Sequence, residues 1–95
     1  MIIKRLENLR SDANALVIIE KDGTINLVSY ETIVAIIDNE GWLLIKGLYS
    51  KTTKKHIGAF VKEFCNLELE NAEKIYDNAW LYNINTGEII FMEKK

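Results

Sequence analysis

Between Ala15 and Leu48, short apolar runs alternate with turn clusters too closely spaced for a helix to intervene. Leu16-Val17-Ile18-Ile19 is a β-branched run that ends at Lys21-Asp22-Gly23-Thr24. Ile25 to Ser29 follows, then Thr32 to Ile37, which ends at Asp38-Asn39-Glu40-Gly41, and then Trp42 to Leu48. β-Branched side chains suit a pleated surface, and Asp-Gly supplies the positive φ of a tight reversal. Parallel neighbours would need crossovers of a dozen or more residues, so these short connections dictate an antiparallel meander. On the return strand Ile25, Leu27 and Ser29 share one face, with Asn26, Val28 and Tyr30 on the other. Thr32 to Ile37 is apolar on both faces, which predicts a place in the middle of the sheet.

After residue 50 the period changes. Ile57, Phe60, Val61, Phe64 and Cys65 recur at helical spacing, predicting a helix over Lys51 to Cys65 with Ser50 or Thr52 as its N-cap. A second helix is expected at about Glu70 to Ala79, with Ala72, Ile75, Tyr76 and Ala79 inward. A hairpin then follows, from Trp80 to Ile84 and Glu88 to Met92, turning at Asn85-Thr86-Gly87. At the start, apolar residues at 2, 3, 6 and 9 fit a short helix over Ile2 to Leu9, and Ser11-Asp12-Ala13-Asn14 reads as a loop. The expected fold is α+β: an antiparallel meander of about four to six strands packed on one main helix, with a second short helix and a C-terminal hairpin. All 95 residues are expected to form a single domain (1–95).

Composition narrows the function classes. Apolar content of 48% and charge of 27% mark a folding chain rather than a disordered one. A net charge of −2 excludes bulk attraction to nucleic acid or anionic lipid, leaving only a local basic patch for such binding. Cys65 is the only cysteine, so neither an internal disulfide nor a thiolate-rich metal site can form. The longest apolar run, Ile33 to Ile37, is far short of the roughly 20 residues of a membrane span. The N-terminus has no secretory apolar core, which favours a reducing, cytoplasmic setting without membrane attachment.

Polar chemistry gathers at one place. Ser50, Lys51, Thr52, Thr53, Lys54, Lys55 and His56 crowd a predicted helix N-terminus, where free backbone N–H groups attract anions. Lysines oppose the helix dipole there, a conflict that a bound phosphate or an acidic partner surface would relieve. The plainer reading has Ser and Thr capping the helix, lysines in solvent and His56 packed against the sheet. Every charged residue from Lys46 to Lys62 is basic, whereas Glu63 to Asp77 is acidic apart from Lys74. Glu70, Glu73 and Asp77 are therefore a candidate acidic contact surface imitating nucleic-acid phosphates, against the plainer reading of an ordinary solvated helix face. The aromatic residues are expected mainly in the core, with Trp42 and Trp80 the best placed to touch a partner. No phosphate loop, nucleophile elbow, paired-cysteine motif or metal-ligand spacing occurs, so no cofactor or metal is expected and an enzyme is disfavoured. A hydrolase would need His56 joined to a carboxylate such as Glu31 or Asp38.

Ser29-Tyr30-Glu31-Thr32-Ile33-Val34-Ala35 and Leu48-Tyr49-Ser50-Lys51-Thr52-Thr53-Lys54-Lys55-His56 resemble a family of small phage and prophage proteins. These share Ser-Tyr-x-Thr, an apolar strand, a turn, and Tyr-Ser-x-Thr-Thr-x-x-His opening a helix. The resemblance covers about the middle third of the chain and carries no activity. It implies an origin in a phage or mobile element of a bacterial host, and implies that Tyr30, Thr32, Tyr49, Ser50, Thr52, Thr53 and His56 act together. A hydrogen bond between Tyr30 and His56 would serve that end by fixing the junction of sheet and helix. The expected function is a non-enzymatic accessory protein that binds a host or phage protein, for instance as an inhibitor of a host defence or regulatory complex. A small nucleic-acid-binding module acting through Lys51 to His56 is the alternative. Homodimerisation through an edge strand or the helix stripe is open to either.

Overall fold

The closely spaced turns of residues 15–48 deliver the meander, and both ends of the chain extend it. The computed structural model describes residues 1–7, 9 and 14–92. Strands β1 (Ile2–Lys4), β2 (Ala15–Ile19), β3 (Ile25–Ser29), β4 (Thr32–Ile37) and β5 (Trp42–Ile45) precede helices α1 (Lys51–Cys65) and α2 (Leu69–Asp77), and β6 (Trp80–Asn83) and β7 (Ile89–Phe91) follow. All seven strands form one sheet in sequence order, each antiparallel to the next. Apolar on both faces, β4 is the central strand.

Two features depart from the expected four-to-six-stranded plan. Ile2 to Leu9 does not begin as a helix: Ile2, Ile3 and Lys4 pair with Ile19, Ile18 and Val17. The free ladder edge of β2 satisfies their backbone, and Leu6 then turns back into the core. The spacing 2, 3, 6, 9 is as compatible with a strand and a returning leucine as with a helix. The C-terminal hairpin is not separate either, because Trp42 and Leu43 pair with Asn83 and Tyr82 and draw β6 and β7 into the main sheet. Of the expected loop at Ser11-Asp12-Ala13-Asn14, the first three residues lie outside the described set. Asn14 precedes β2, and its carbonyl accepts from the Tyr30 N–H at 2.7 Å.

Both helices lie on one face of the sheet. Ile57, Phe60 and Val61 of α1 are fully buried against Val17, Leu27, Ala35, Ile37 and Leu43, while α2 adds Ala72 and Ile75. Each large side chain so buried contributes roughly 1.5–3 kcal/mol relative to an exposed one. The α1 stripe is thereby consumed by the core, so it is not a free surface for a second copy. Tyr76, expected inward, is exposed, and Ala79 follows α2 in the left-handed conformation. A β-bulge interrupts β3–β4: Leu27 faces Ala35 and Val28 faces Ile33, leaving Val34 as the extra residue. The bulge lets Thr32 and Val34 share the helix side with Ala35 and Ile37.

Charge segregated along the chain becomes complementarity in the fold. Lys54 Nζ lies 3.7 Å from Glu73, and Lys62 3.8 Å from Glu68, across the two helices. Lys4 meets Glu63 at 2.9 Å, and Glu63 also accepts from the Glu7 N–H at 2.8 Å, tying β1 to α1. Burial pushes the Glu63 pKa up, but these two partners outweigh it and hold the group below the ordinary glutamate range.

Candidate functional site

Two segments twenty residues apart meet where β3 turns into β4 and the chain enters α1. Ser50 has extended backbone and caps α1, its Oγ accepting from the Thr53 N–H at 3.1 Å and donating to Thr53 Oγ1 at 3.1 Å. This resolves the choice of cap in favour of Ser50 over Thr52. Thr53 Oγ1 lies 3.4 Å from Ser29 Oγ, which is 2.8 Å from His56 Nδ1. Ser29, Thr53 and His56 are all buried, His56 to 2% exposure. Running the hydroxyl protons head to tail from Ser50 through Thr53 and Ser29 leaves Nδ1 as acceptor and assigns the ring proton to Nε2. Burial, and secondarily the Lys55 ammonium, lowers the His56 pKa, so the imidazole is neutral at pH 7.

Tyr30 does not make the expected hydrogen bond to His56. Ser29 takes that role, and the Tyr30 ring lies 6.0 Å from the imidazole, centroid to centroid, at a 44° tilt. Tyr30 has φ 59°, a left-handed conformation that is unusual for a bulky residue and costs on the order of 1–2 kcal/mol. Ser29, Tyr30, Thr32, Val34, Tyr49 and Thr53 surround an open hollow of about 320 Å³. Both tyrosines are largely in solvent, Tyr30 at 56% and Tyr49 at 66% exposure. The Tyr49 ring lies directly over Gly47: a Cβ added there would sit 2.4–2.7 Å from two ring carbons and the phenol oxygen. Gly47 therefore gives the ring its seat.

The seven residues proposed for anion contact separate into two groups. Thr53 and His56 face inward, and the Thr53 N–H is already occupied by Ser50. Lys54 is half-buried and turned toward Glu73, which leaves Ser50, Lys51, Thr52 and Lys55 exposed. The acidic set is likewise divided. Glu73 is paired with Lys54, Glu70 is exposed in the first turn of α2 where the helix dipole favours it, and Asp77 borders a different hollow with Lys46 and Tyr76. Asp38 is remote from His56: it caps the turn at the opposite end of the sheet, accepting from the Glu40 and Trp42 N–H groups at 2.9 Å each. Glu31 is exposed on the surface. Among the described residues, no group of three or more His, Cys, Asp or Glu side chains is placed to hold a metal ion. No described helix is long and apolar enough to cross a membrane.

Ser29 opens the resembling segment but was given no role by sequence reasoning, and Gly47 was not singled out at all. The signal for Ser29 was its alternation onto the Leu27 face, toward α1; nothing in the sequence marked Gly47 as the seat of a ring two residues away.

The fold and site together define a small α+β domain: one meander sheet, two helices on one side, and a polar junction carrying two exposed tyrosines. The chain belongs to a family of unknown function, DUF8033, which it matches over residues 4–80. Both segments of the junction lie inside that match, whereas β7 lies beyond it. No curated protein and no solved structure matches the chain.

Proposed function

We propose that this protein is a non-enzymatic accessory binding protein of a phage or mobile element, acting in the bacterial cytoplasm. Tyr30 and Tyr49 at the sheet–helix junction are its anchors for a partner protein. The observation that carries this reading is the contrast between two exposed rings and the buried Thr53–Ser29–His56 network beneath them, which the exposed Ser50 cap closes at one end. Exposed tyrosines on a rigid base offer large contact area with little rotamer entropy to lose, which is how interface anchors work. Tyr30 occupies the first position of the two-residue β3–β4 turn, where the tight reversal requires its positive φ and holds the ring at the mouth of the junction.

Inhibition of a host defence or regulatory complex is the most concrete form of the proposal. Phosphate recognition is less well supported, because the capping serine, the buried imidazole and the Lys54–Glu73 pair leave mainly Lys51 and Lys55 to meet an anion. Affinity capture from bacterial lysate, comparing the intact chain with a Tyr30→Ala/Tyr49→Ala variant, tests the reading. The expected result is a protein retained stoichiometrically by the intact chain and lost by the variant. Retention unchanged in the variant, or salt-sensitive enrichment of nucleic acid alone, contradicts it.

A further inference from the structure

The sheet has a second face, and no described helix or strand covers it. Antiparallel sheets with one face in water ordinarily alternate apolar and polar residues. Here the face away from the helices carries Leu16 and Ile18 of β2, Val28 of β3, Ile36 of β4, Trp42 and Leu44 of β5 and Leu81 of β6, with Asn26 of β3 the polar residue between Ile18 and Ile36. None of these belongs to the core cluster or packs against it. Toward its margins the same face exposes Ile3, Ile33 and Ile90. The only charged residue within any of the seven strands is Lys4, and it faces Glu63 on the helix side.

We infer that this face is the interface of a homodimer, in which two copies pack sheet against sheet as a four-layer α/β/β/α sandwich. A face whose strand residues carry no charge is complementary to an equally uncharged, largely apolar surface of the same twist, and a second copy supplies one at equal concentration. Such a face is self-matching under a two-fold axis, the commonest symmetry of oligomers. The area is adequate. Seven strands about 4.8 Å apart span roughly 29 Å, and strands of four to five residues are about 15 Å long, giving about 430 Å² per copy in projection. Side-chain relief adds to the accessible area, so two copies remove on the order of 1,000 Å² from water, the lower bound for a specific interface. Electrostatic opposition is small, since each copy has a net charge of −2 and no strand residue on this face is charged. The tyrosine junction opens on the helix side and stays free in such a dimer.

Sedimentation equilibrium or light scattering on the full chain at about 100 μM tests this. The expected mass is about 22 kDa, twice the 11.0 kDa of one chain. Ile36→Glu at the centre of the face is expected to give monomer with an unchanged far-UV spectrum, whereas Phe91→Glu on the β7 edge keeps the dimer. If Ile36→Glu fails to fold, Ile33→Glu takes its place, because Ile33 is already 39% exposed and tolerates a charge in the monomer. A monomeric wild-type chain at 100 μM overturns the proposal. So does a dimer that survives the face variants, or one lost only in Phe91→Glu, which assigns association to strand addition at the edge.

Discussion

Removing one oxygen from the buried network gives the sharpest thermodynamic prediction. Ser29→Ala leaves the backbone conformation of β3 permitted and the packing nearly intact, but takes away the partner of His56 Nδ1 at 2.8 Å. Both residues are buried, Ser29 to 3% and His56 to 2% exposure, so solvent replaces the lost bond poorly. An orphaned buried polar group costs about 1–3 kcal/mol. A loss near 2 kcal/mol lowers the thermal midpoint of a domain this size by about 8–16 °C. The assay is reversible thermal and urea unfolding followed by circular dichroism. A double-mutant cycle sharpens it: with His56→Leu alone the Ser29 hydroxyl loses its imidazole partner, whereas Ser29→Ala/His56→Leu removes both sides. The double variant is expected to lose about 1 kcal/mol less than the sum of the two single losses. A Ser29→Ala protein within 0.5 kcal/mol of wild type, or strict additivity in the cycle, refutes the claim that this contact holds the junction.

Further predictions follow from neighbouring features. Because the folded-state pKa of His56 lies below its ordinary value of about 6.5, the unfolded chain takes up the proton first. Stability is therefore full above about pH 6.5 and declines as pH falls below it, and His56→Leu flattens that decline in urea titrations between pH 5 and 7. Burial pushes the Cys65 thiol up to about 12, so a thiol-specific chromophoric reagent should label the native chain far more slowly than the urea-unfolded one. Ala79 has φ 54°, and Ala79→Gly is expected to raise stability by roughly 0.5–1 kcal/mol, measured by urea unfolding. Gly47→Ala displaces the Tyr49 ring with little effect on the unfolding midpoint, and should weaken partner capture while leaving the circular dichroism spectrum unchanged.

Periodicity carried most of the fold. The α1 stripe at Ile57, Phe60 and Val61 was legible because a helix in contact with a single sheet needs one apolar face. The central position of β4 followed from its two apolar faces. The same alternation misled at Ile2 to Leu9, where three residues of strand and one returning leucine imitate a helical spacing. The meaning of the charge reversal after Lys62 was also hidden, because one sequence pattern serves a decoy surface and two helices that pair their charges. At the junction, the residue types were visible but not their directions. Whether His56 points outward as a donor or inward as an acceptor depends on the bulge at Val34 and the crossing of α1 over β3, which are tertiary outcomes. The uncovered sheet face was hidden for a similar reason. Alternation put Val28 on the face opposite Leu27, but which face the two helices cover is fixed only by their packing.

The most direct measurement of the account's central claim is site-specific photo-crosslinking inside host cells. A photoreactive residue is placed in turn at position 49, in the tyrosine junction, and at position 74, on the exposed side of α2. The account predicts a discrete protein adduct from position 49, absent from position 74 and abolished by Tyr30→Ala. Equal adducts from both positions, or none from position 49 while position 74 captures a partner, contradict it.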